Sequence, residues 1–437
     1  MESMVRRTSR SYVRPSAATP SGTLELSLID RDVGLRHLVR SLHVFRRPPQ
    51  LAGGEEEHEH QRSPARVIRE ALGKALVDYY PFAGRLADGA GGPATARVEC
   101  TGEGAWLVEA FAGCTLDDAA CLDRHPLAIP ADDLLPDAAP GGVHPLDIPL
   151  MMQVTEFACG GFVVGLSSSH TLTDGLGAGQ FINAVADYAR GLPEPRVTPI
   201  WARGHLIPSP RNKLHLLEPP PERPPFQFRY LTVDLSLDGL NRVKAQFHAA
   251  TGQRCSTFDV AVAKVWQART RSLRLPDPSA PVTLCFFANA RHLLPNKDGA
   301  VGFYGNCFFP ATLTLAAGEL ERAAVAGVVG MVRDAKARLG AEFARWVAGE
   351  GEEEEPYALW LRSEPLFVSD WRRLGFQEAD YGWGTPTHVS PLATLPFMPV
   401  ALLSAPPAPR TGVRITTQCV EEEHMPAFRE EMKAFEE

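Results

Sequence analysis

The sequence predicts an α/β protein made of two lobes. Its 437 residues exceed what one hydrophobic core usually serves, so two domains are expected. Segments with the two-residue period of strands and the 3.6-residue period of helices recur in both halves. Between the halves, residues 191–226 are rich in Pro and Gly and lack periodicity, as in a crossover loop. The predicted lobes are therefore residues 1–190 and 227–437.

The N-terminal half is predicted to contain strands, hairpins and two amphipathic helices. The expected strands and hairpins cover residues 11–16, 39–47, 97–111 (turning at 101–104) and 150–170 (turning at 159–161). A helix is predicted from residue 65 to Pro81, on apolar residues at helical spacing: Val67, Ile68, Leu72, Ala75 and Leu76. A second helix follows Asp174 and ends near Gly191, with one apolar face: Phe181, Ile182, Val185 and Ala186.

The C-terminal half is predicted to mix strands and helices in the same way. Strands are expected at residues 230–236 and within 281–295, where a buried strand leads to a polar corner. Helices are expected at residues 237–251, 256–273, 321–339 and 421–437. The second of these has an N-cap residue at Ser256 or Thr257.

Composition narrows the class of protein. The net charge of −8 argues against a nucleic acid or an anionic membrane as the main partner. No apolar run approaches the roughly 20 residues of a membrane span, and no signal-peptide pattern follows the basic N-terminal segment. The eight cysteines are scattered without C-x-x-C spacing, which suits a reducing compartment. A cytoplasmic protein is therefore expected.

The stretch "SSSHTLTDGLGAGQF" at residues 167–181 carries the first candidate for chemistry. His170 is either a polar residue at a strand end or a general base, which needs no partner nearby in sequence. Asp174 before a helix is typical of an N-cap. Gly175, Gly177 and Gly179 weaken the helix and leave room for something close to the backbone.

Other chemistries have weaker support. His170 and Asp174 lack a third metal ligand nearby, and no G-x-S-x-G elbow of a serine hydrolase occurs. His58 and His60 lie in the charged tract at residues 51–64, which favours a solvated loop over a metal site. No metal is therefore predicted. The stretch "EADYGWGTP" at residues 378–386 reads by itself only as a turn.

Together, these two stretches resemble the signature pair of the plant BAHD acyl-CoA-dependent acyltransferases, His-x-x-x-Asp-Gly and Asp-Phe-Gly-Trp-Gly. Four further blocks match the family in order: "ALVDYYPFAGRL", "STFDVAVAKVW", "ANARHLLP…GFYGN" and "VSDWRRLGFQEADYGWG". The resemblance therefore covers almost the whole chain. The departure is Tyr381 where the family usually has Phe, which puts local packing in doubt.

The resemblance implies two chloramphenicol-acetyltransferase-like α/β lobes, joined by the long crossover loop 191–226 and with a solvent channel between them. It places the His-x-x-x-Asp motif in the N-terminal lobe (1–190) and the second motif in the C-terminal lobe (227–437). It implies a monomer that binds no permanent cofactor. Acyl-CoA is then a co-substrate and CoA a product.

The resemblance also assigns roles to individual residues. His170 is implied as the general base and Trp371, in "VSDW", as a donor to the oxyanion, with core packing as the alternative for Trp371. Asp174 is implied to pair with Arg291 and hold the histidine's loop. A CoA-side or structural role is implied for the motif Asp380, Tyr381, Gly382, Trp383 and Gly384. Ser256 and Thr257 at a helix start are candidates for the CoA phosphates, and Lys264 is a weaker one.

The implied reaction is transfer of an aromatic acyl group, benzoyl or hydroxycinnamoyl, to a small alcohol or amine acceptor in a ternary complex. The blocks "LELSLIDRDVGLRHLVRSLHVFR" and "CTGEGAWLVEA" resemble the benzyl alcohol benzoyltransferase branch. Two alternatives stay open. The enzyme could acylate the nitrogen of an aromatic amine such as tryptamine, or the chain could be a catalytically silent relative that binds its ligand.

Overall fold

The computed structural model describes residues 4–47, 63–89, 92–201, 203, 227–294, 302–350, 356–357, 365–392 and 398–433. The polypeptide chain forms two compact units. Unit 1 contains Met1–Ser209, Asn296–Asn306 and Arg372–Leu392, and unit 2 contains Pro210–Pro295, Cys307–Trp371 and Ala393–Glu437. Most of the predicted crossover at residues 191–226 lies outside the described residues. His58 and His60 also lie outside them.

Strands and helices alternate along both units, which confirms the predicted α/β class. The described strands are β1 (Val5–Val13), β2 (Thr23–Glu25), β3 (Leu38–Phe45), β4 (Arg85–Gly89), β5 (Gly92–Glu99), β6 (Ala105–Ala112), β7 (Leu150–Phe157), β8 (Phe162–Ser169), β9 (Phe228–Leu235), β10 (Pro281–Asn289), β11 (Phe308–Ala316), β12 (Leu366–Asp370), β13 (His388–Leu392), β14 (Val400–Ser404) and β15 (Val413–Glu421). The described α-helices are α1 (Pro64–Asp78), α2 (Ala131–Leu134), α3 (Gly175–Ala189), α4 (Leu237–Thr251), α5 (Thr257–Leu273), α6 (Ala317–Arg322), α7 (Val325–Ala348) and α8 (Met425–Lys433). Within the described ranges, no helix is long and apolar enough to cross a membrane.

Unit 1 is built on a six-stranded sheet in the order β1-β6-β7-β8-β3-β13. β7 and β8 form the predicted hairpin, with Leu150 opposite Ser168. β8 also pairs antiparallel with β3, so that Ser169 lies opposite Leu38 and Phe162 opposite Phe45. Both neighbours of β8 are thus fixed by backbone hydrogen bonds, and His170 follows at the end of this central strand.

Unit 2 is built on a second six-stranded sheet in the order β11-β10-β12-β14-β15-β9. Helix α5 packs in its core, where Trp266 is fully buried. The predicted N-cap of α5 is confirmed: Ser256 and Asp259 form a reciprocal capping box. Such a box satisfies two backbone N–H groups at the helix start, so the helix begins where the sequence predicts.

The predicted hairpin at residues 97–111 is wrong. β5 pairs with β2 and β4 in a separate three-stranded sheet, whereas β6 pairs with β1 and β7 in the main sheet of unit 1. Gly104 makes this change of sheet possible. Its φ is +106°, and a Cβ there would lie 2.3 Å from the carbonyl oxygen of Val13.

The predicted lobe boundary also differs from the structure at residues 380–384. These residues were expected in the C-terminal lobe, but segment Arg372–Leu392 belongs to unit 1. The physical reason is that β13 pairs antiparallel with β3, with His388 opposite Val44. The chain therefore returns to the first sheet after β12.

The space beside two glycines at the start of α3 is filled by other protein atoms. A Cβ on Gly179 would lie 1.7 Å from the carbonyl oxygen of Leu374, and one on Gly175 would lie 2.6 Å from the Leu374 side chain. These small residues admit the segment before β13. The expected room near the backbone is thus occupied by Leu374.

Gly179→Ala is predicted to destabilise unit 1, because the new methyl group has no space beside the Leu374 carbonyl. Overpacking of this kind costs about 1–3 kcal/mol. The matched control is Gly330→Ala in α7, where the nearest atom to the new Cβ is Phe247 Cε2 at 3.7 Å. In thermal unfolding we expect a lower melting temperature for Gly179→Ala and an unchanged or slightly raised one for Gly330→Ala. Equal melting of Gly179→Ala and wild type would contradict the packing described.

Candidate active site

His170 is half-buried at the end of β8, in a loop tied to the segment before β3. Its backbone N–H donates to the carbonyl oxygen of His37 at 3.0 Å. The hydroxyl of Thr171 donates to the carbonyl oxygen of Leu35 at 3.1 Å. The backbone around His170 is thus held on both sides, which gives its imidazole a defined starting point.

The side chain of His170 contacts a buried amide that the sequence analysis did not single out. Nδ1 of His170 lies 3.1 Å from Oδ1 of Asn306. Nδ2 of Asn306 donates to the backbone oxygen of His170 at 2.8 Å and to Oδ1 of Asp30 at 2.8 Å. Both of those partners only accept, so the NH2 group of Asn306 must face them and its carbonyl oxygen must face His170.

This orientation fixes the tautomer of His170. A carbonyl oxygen only accepts hydrogen bonds, so Nδ1 carries the proton and donates it to Asn306. In the neutral imidazole the lone pair is then on Nε2, which becomes the basic nitrogen. The arrangement can accept a proton at Nε2 while Nδ1 stays bonded.

Burial keeps His170 neutral. It lowers the pKa of His170 below its ordinary value of 6.5 because a buried imidazolium loses its water. The hydrogen bonds of the ring and the negative charges of Asp174 and Asp30 act in the opposite direction. Since only the neutral form can accept a proton, the balance favours a base that is ready near neutral pH.

A second histidine lies beside His170. The ring centroids of His37 and His170 are 5.2 Å apart. Nδ1 of His37 lies 2.8 Å from the carbonyl oxygen of Gly34, so it is the donor there. Burial, followed by the neighbouring His170, lowers the pKa of His37 to about 3. His37 is therefore neutral as well, and adds no positive charge beside His170.

Asp174 acts as the predicted N-cap of α3. Its Oδ1 accepts from the backbone N–H of Gly177 at 3.0 Å, and the side chain is buried. Tyr304 reinforces the same turn by donating its hydroxyl proton to the carbonyl oxygen of Gly177 at 2.8 Å.

The pairing of Asp174 with Arg291 stays a prediction. Arg291 belongs to unit 2, where its backbone N–H donates to Oδ1 of Asn289 at 3.1 Å.

The CoA candidates at the start of α5 already have protein partners. Oγ of Ser256 accepts from the N–H of Asp259, and Oγ1 of Thr257 accepts from Nζ of Lys244 at 2.6 Å. Nζ of Lys336 lies 2.7 Å from Oδ1 of Asp259. Two ammonium groups that the sequence analysis missed thus lie at this helix end. Lys264, the weaker candidate, is buried, and burial lowers its pKa.

Trp371 lies at the end of β12 in unit 2. Its backbone N–H donates to the carbonyl oxygen of Leu403 at 2.7 Å. Its half-buried indole packs against a cluster of buried apolar side chains: Cys285, Phe367, Val400 and Leu402. The packing alternative for Trp371 is therefore supported, while its role as an oxyanion donor stays a prediction.

The motif at residues 380–384 forms a turn that closes on itself. Oδ1 of Asp380 accepts from the N–H groups of Gly382 at 2.8 Å and Gly384 at 2.9 Å. The ring of Tyr381 lies 5.4 Å from that of Phe45, and the ring of Trp383 lies 5.6 Å from that of Phe162. These aromatic contacts attach the turn to the end of the β3–β8 pair.

That end of the strand pair is remote from the histidine. Phe162 begins β8 and His170 follows its last residue, which separates them by roughly 25 Å of extended strand. Asp380 to Gly384 therefore pack in unit 1 at the end of the strand pair far from His170. The CoA-side role predicted for them stays a prediction.

Comparison with known proteins identifies the family. A sequence model described as the transferase family matches residues 3–435. "Acyl transferase 4" of Oryza sativa subsp. japonica is 64% identical over 445 residues, which are 99% of either chain. The chain belongs to the plant BAHD acyltransferase family. It is therefore an acyl-transferring enzyme.

Other relatives of this BAHD acyltransferase differ in the acyl group and acceptor that their names state. A myricetin 3-O-glucosyl 1,2-rhamnoside 6'-O-caffeoyltransferase of Crocosmia x crocosmiiflora is 38% identical over 458 residues and is covered completely, as is this chain. The 3'-N-debenzoyl-2'-deoxytaxol N-benzoyltransferase of Taxus canadensis is 33% identical over 448 residues, 97% of this chain and 94% of the relative. Both acyl classes and both acceptor atoms thus occur among its relatives.

Solved structures share the fold of this BAHD acyltransferase. Vinorine synthase aligns with a TM-score of 0.74 at 22% identity, covering 99% of this chain and 98% of the other. The TRI101 protein of F. sporotrichioides, in complex with coenzyme A and T-2, aligns with a TM-score of 0.70 at 16% identity, covering 95% and 99%. These likenesses confirm the predicted fold of two sheet-containing α/β lobes.

Tyr381→Phe is predicted to stabilise this BAHD acyltransferase. The Tyr381 hydroxyl is buried and has no hydrogen-bond partner among the described residues, so its removal recovers a desolvation cost of about 1–3 kcal/mol. The matched control is Tyr79→Phe, because the Tyr79 hydroxyl donates to Val197 and accepts from Gln180, both at 3.1 Å. In thermal unfolding, Tyr381→Phe should raise the melting temperature and Tyr79→Phe should lower it. A loss of stability in Tyr381→Phe would show that the hydroxyl has a partner.

Proposed function

We propose that this enzyme transfers an aromatic acyl group, benzoyl or hydroxycinnamoyl, from acyl-CoA to a small alcohol or amine. His170 acts as the general base in a ternary complex. The observation that carries the proposal is the 3.1 Å contact between Nδ1 of His170 and Oδ1 of Asn306, which makes Nε2 the basic nitrogen. Family membership supports the reaction type.

The proton path follows from this tautomer. As the acceptor oxygen or nitrogen attacks the thioester carbonyl, its proton passes to Nε2 of His170. The tetrahedral intermediate then collapses, the C–S bond breaks, and the proton on Nε2 passes to the CoA thiolate. The new ester or amide and free CoA thiol balance the reaction. A thioester is already activated, so no covalent enzyme intermediate is required.

The charge states of the groups around His170 support this chemistry. His37 stays uncharged beside His170, and the nearby carboxylates of Asp174 and Asp30 stabilise the imidazolium that forms when Nε2 takes the proton. The N-cap contact of Asp174 holds the loop that carries His170. Trp371 remains our candidate donor to the oxyanion of the intermediate.

The start of α5 is the proposed site for the CoA phosphates. The positive end of a helix favours anions, and the ammonium groups of Lys244 and Lys336 lie at this end. A phosphate bound there would compete with Thr257 and Asp259 for these lysines. The coenzyme A complex of the TRI101 protein supports acyl-CoA as the donor for this fold.

The nature of the acyl group is proposed from the relatives. Caffeoyl and benzoyl groups, which appear in the names of two relatives, are both aromatic acyl groups. The same two names state transfer to oxygen and to nitrogen, and a neutral histidine base serves either acceptor. We therefore propose the aromatic acyl class for the donor, with an alcohol or an amine as acceptor.

His170→Gln is predicted to lower kcat by about 10²- to 10⁴-fold, the range that general acid–base catalysis contributes. The measurement is release of CoA thiol from benzoyl-CoA and from hydroxycinnamoyl-CoA with a panel of alcohols and amines. Mass spectrometry of the products identifies the donor, the acceptor and the new bond together. The matched control is His248→Gln, because His248 is exposed on α4 in unit 2.

Two results would contradict the proposal in different ways. Near-full activity of His170→Gln would remove His170 as the base while leaving the reaction intact. Absence of turnover by the wild-type enzyme with every aromatic acyl-CoA and acceptor would overturn the proposed aromatic acyl class.

A further inference from the structure

A buried ion pair lies directly behind the amide that contacts His170. Nη1 of Arg203 donates to Oδ2 of Asp30 at 2.8 Å, and both side chains are fully buried. Neither residue lies in the two signature motifs, although Asp30 belongs to the block "LELSLIDRDVGLRHLVRSLHVFR". Removal of one partner from such a pair costs several kcal/mol, and apolar residues of the same volume would often stabilise the protein equally well. The pair therefore calls for an explanation beyond stability.

The carboxylate of Asp30 is saturated with donors. Its Oδ1 accepts from the backbone N–H of Asn306 at 2.9 Å and from Nδ2 of the same residue at 2.8 Å. Its Oδ2 accepts from Arg203, from the backbone N–H of Ser27 at 2.9 Å and from the Ser27 hydroxyl at 2.7 Å. Asp30 thus holds Asn306 by two atoms, which prevents its amide from turning over.

Arg203 holds the same loop from another direction. Its Nη2 donates to the carbonyl oxygen of Leu172, in the turn between His170 and Asp174, at 2.8 Å. Its Nε has no hydrogen-bond partner among the described residues. The guanidinium group thus reaches both the carboxylate and the histidine's loop through its two Nη atoms.

The backbone beside Asn306 is shaped to admit the ion pair. Gly305 has a φ of +154°, and a Cβ at this position would lie 3.2 Å from Cζ of Arg203. A side chain at residue 305 would therefore press on the guanidinium group. The segment Gly305–Asn306 thus brings the amide to His170 and leaves room for the arginine at the same time.

We propose that the buried Asp30–Arg203 pair positions His170 through Asn306: the carboxylate fixes the orientation of the amide, and the amide fixes the Nδ1–H tautomer. Asp30, Arg203 and Asn306 are positioning residues, because they act on the reaction only through His170. The catalytic part of the inference rests on the proposed role of His170 as the base. The tautomer itself does not depend on that role.

The test is nitrogen NMR of the enzyme with ¹⁵N-labelled histidine, which distinguishes a protonated from an unprotonated ring nitrogen. His170→Gln removes one set of signals and so assigns His170. In the wild type we expect a single Nδ1–H tautomer. In Asn306→Ala we expect both tautomers, because the ring has lost the Asn306 oxygen that accepts from Nδ1.

Kinetics of the same variants separate positioning from general damage. Asn306→Ala should lower kcat by about 10²-fold, the lower end of the contribution of general acid–base catalysis, while KM for acyl-CoA stays unchanged.

Asp30→Asn should give the same mixed tautomers, because an amide in place of the carboxylate puts an N–H against other donors. The matched control is Asn183→Ala. In the wild type, Nδ2 of Asn183 donates to the carbonyl oxygens of Gly179 at 2.9 Å and Gly375 at 2.8 Å, and neither contact belongs to the network around Asn306. The Asn183→Ala variant should lose stability and keep the wild-type tautomer and kcat.

Several outcomes would overturn the inference. An Nε2–H tautomer in the wild type would do so without any variant, and so would a single Nδ1–H tautomer in a folded Asn306→Ala protein. If Asn306→Ala does not fold, Asn306→Ser provides the same comparison with a shorter polar side chain. A wild-type Nδ1–H tautomer together with an active His170→Gln enzyme would leave the positioning inference intact and overturn the proposed function.

Discussion

The hydrogen bond between Nδ1 of His170 and the carbonyl oxygen of Asn306 decides which nitrogen of the histidine can act as a base. A neutral imidazole has one proton and two nitrogens, so the partner of one nitrogen determines the state of the other. The 3.1 Å contact keeps the proton on Nδ1 and places the lone pair on Nε2. Proton transfer to Nε2 in the proposed reaction follows from this assignment.

The remaining residues around His170 serve to keep that contact in place. Asp174 caps α3, Tyr304 binds the first turn of the same helix, and Asp30 fixes the Asn306 amide. The family motif thus contains one residue suited to proton transfer and one that shapes the backbone. The second motif, at residues 380–384, contributes to the far end of the same strand pair through aromatic packing.

Local features of the fold could be predicted from the sequence, because local chemistry sets them. The helices starting at Gly175, Leu237 and Thr257 follow from apolar periodicity and capping residues, and their ends agree with the expected ones. The hairpin predicted at residues 97–111 failed because strand alternation does not reveal which sheet a strand joins. Its turn contains Gly104, whose positive φ sends β5 and β6 into different sheets.

The supporting network of the candidate site could not be predicted in this way. Asn306 lies 136 residues from His170 and 276 from Asp30, and no periodicity connects such positions. "GFYGN" attracted notice only as a family block, yet it supplies both Tyr304 and Asn306. Likewise, neither Asp30 nor Arg203 could be singled out as a buried charge, because burial of a charge becomes visible only in three dimensions.

If His170 is the neutral base of the reaction, its titration must govern the pH dependence of the wild-type enzyme. The measurement is kcat/KM for an alcohol acceptor at saturating acyl-CoA, since an alcohol does not titrate in the range of interest. Because burial lowers the pKa of His170, the base stays neutral until the pH falls through that lowered value. We predict an acid limb with an apparent pKa below 6.5, the ordinary value of histidine. An acid limb at or above 6.5, or none while the enzyme remains folded, would contradict a neutral His170 base with a lowered pKa.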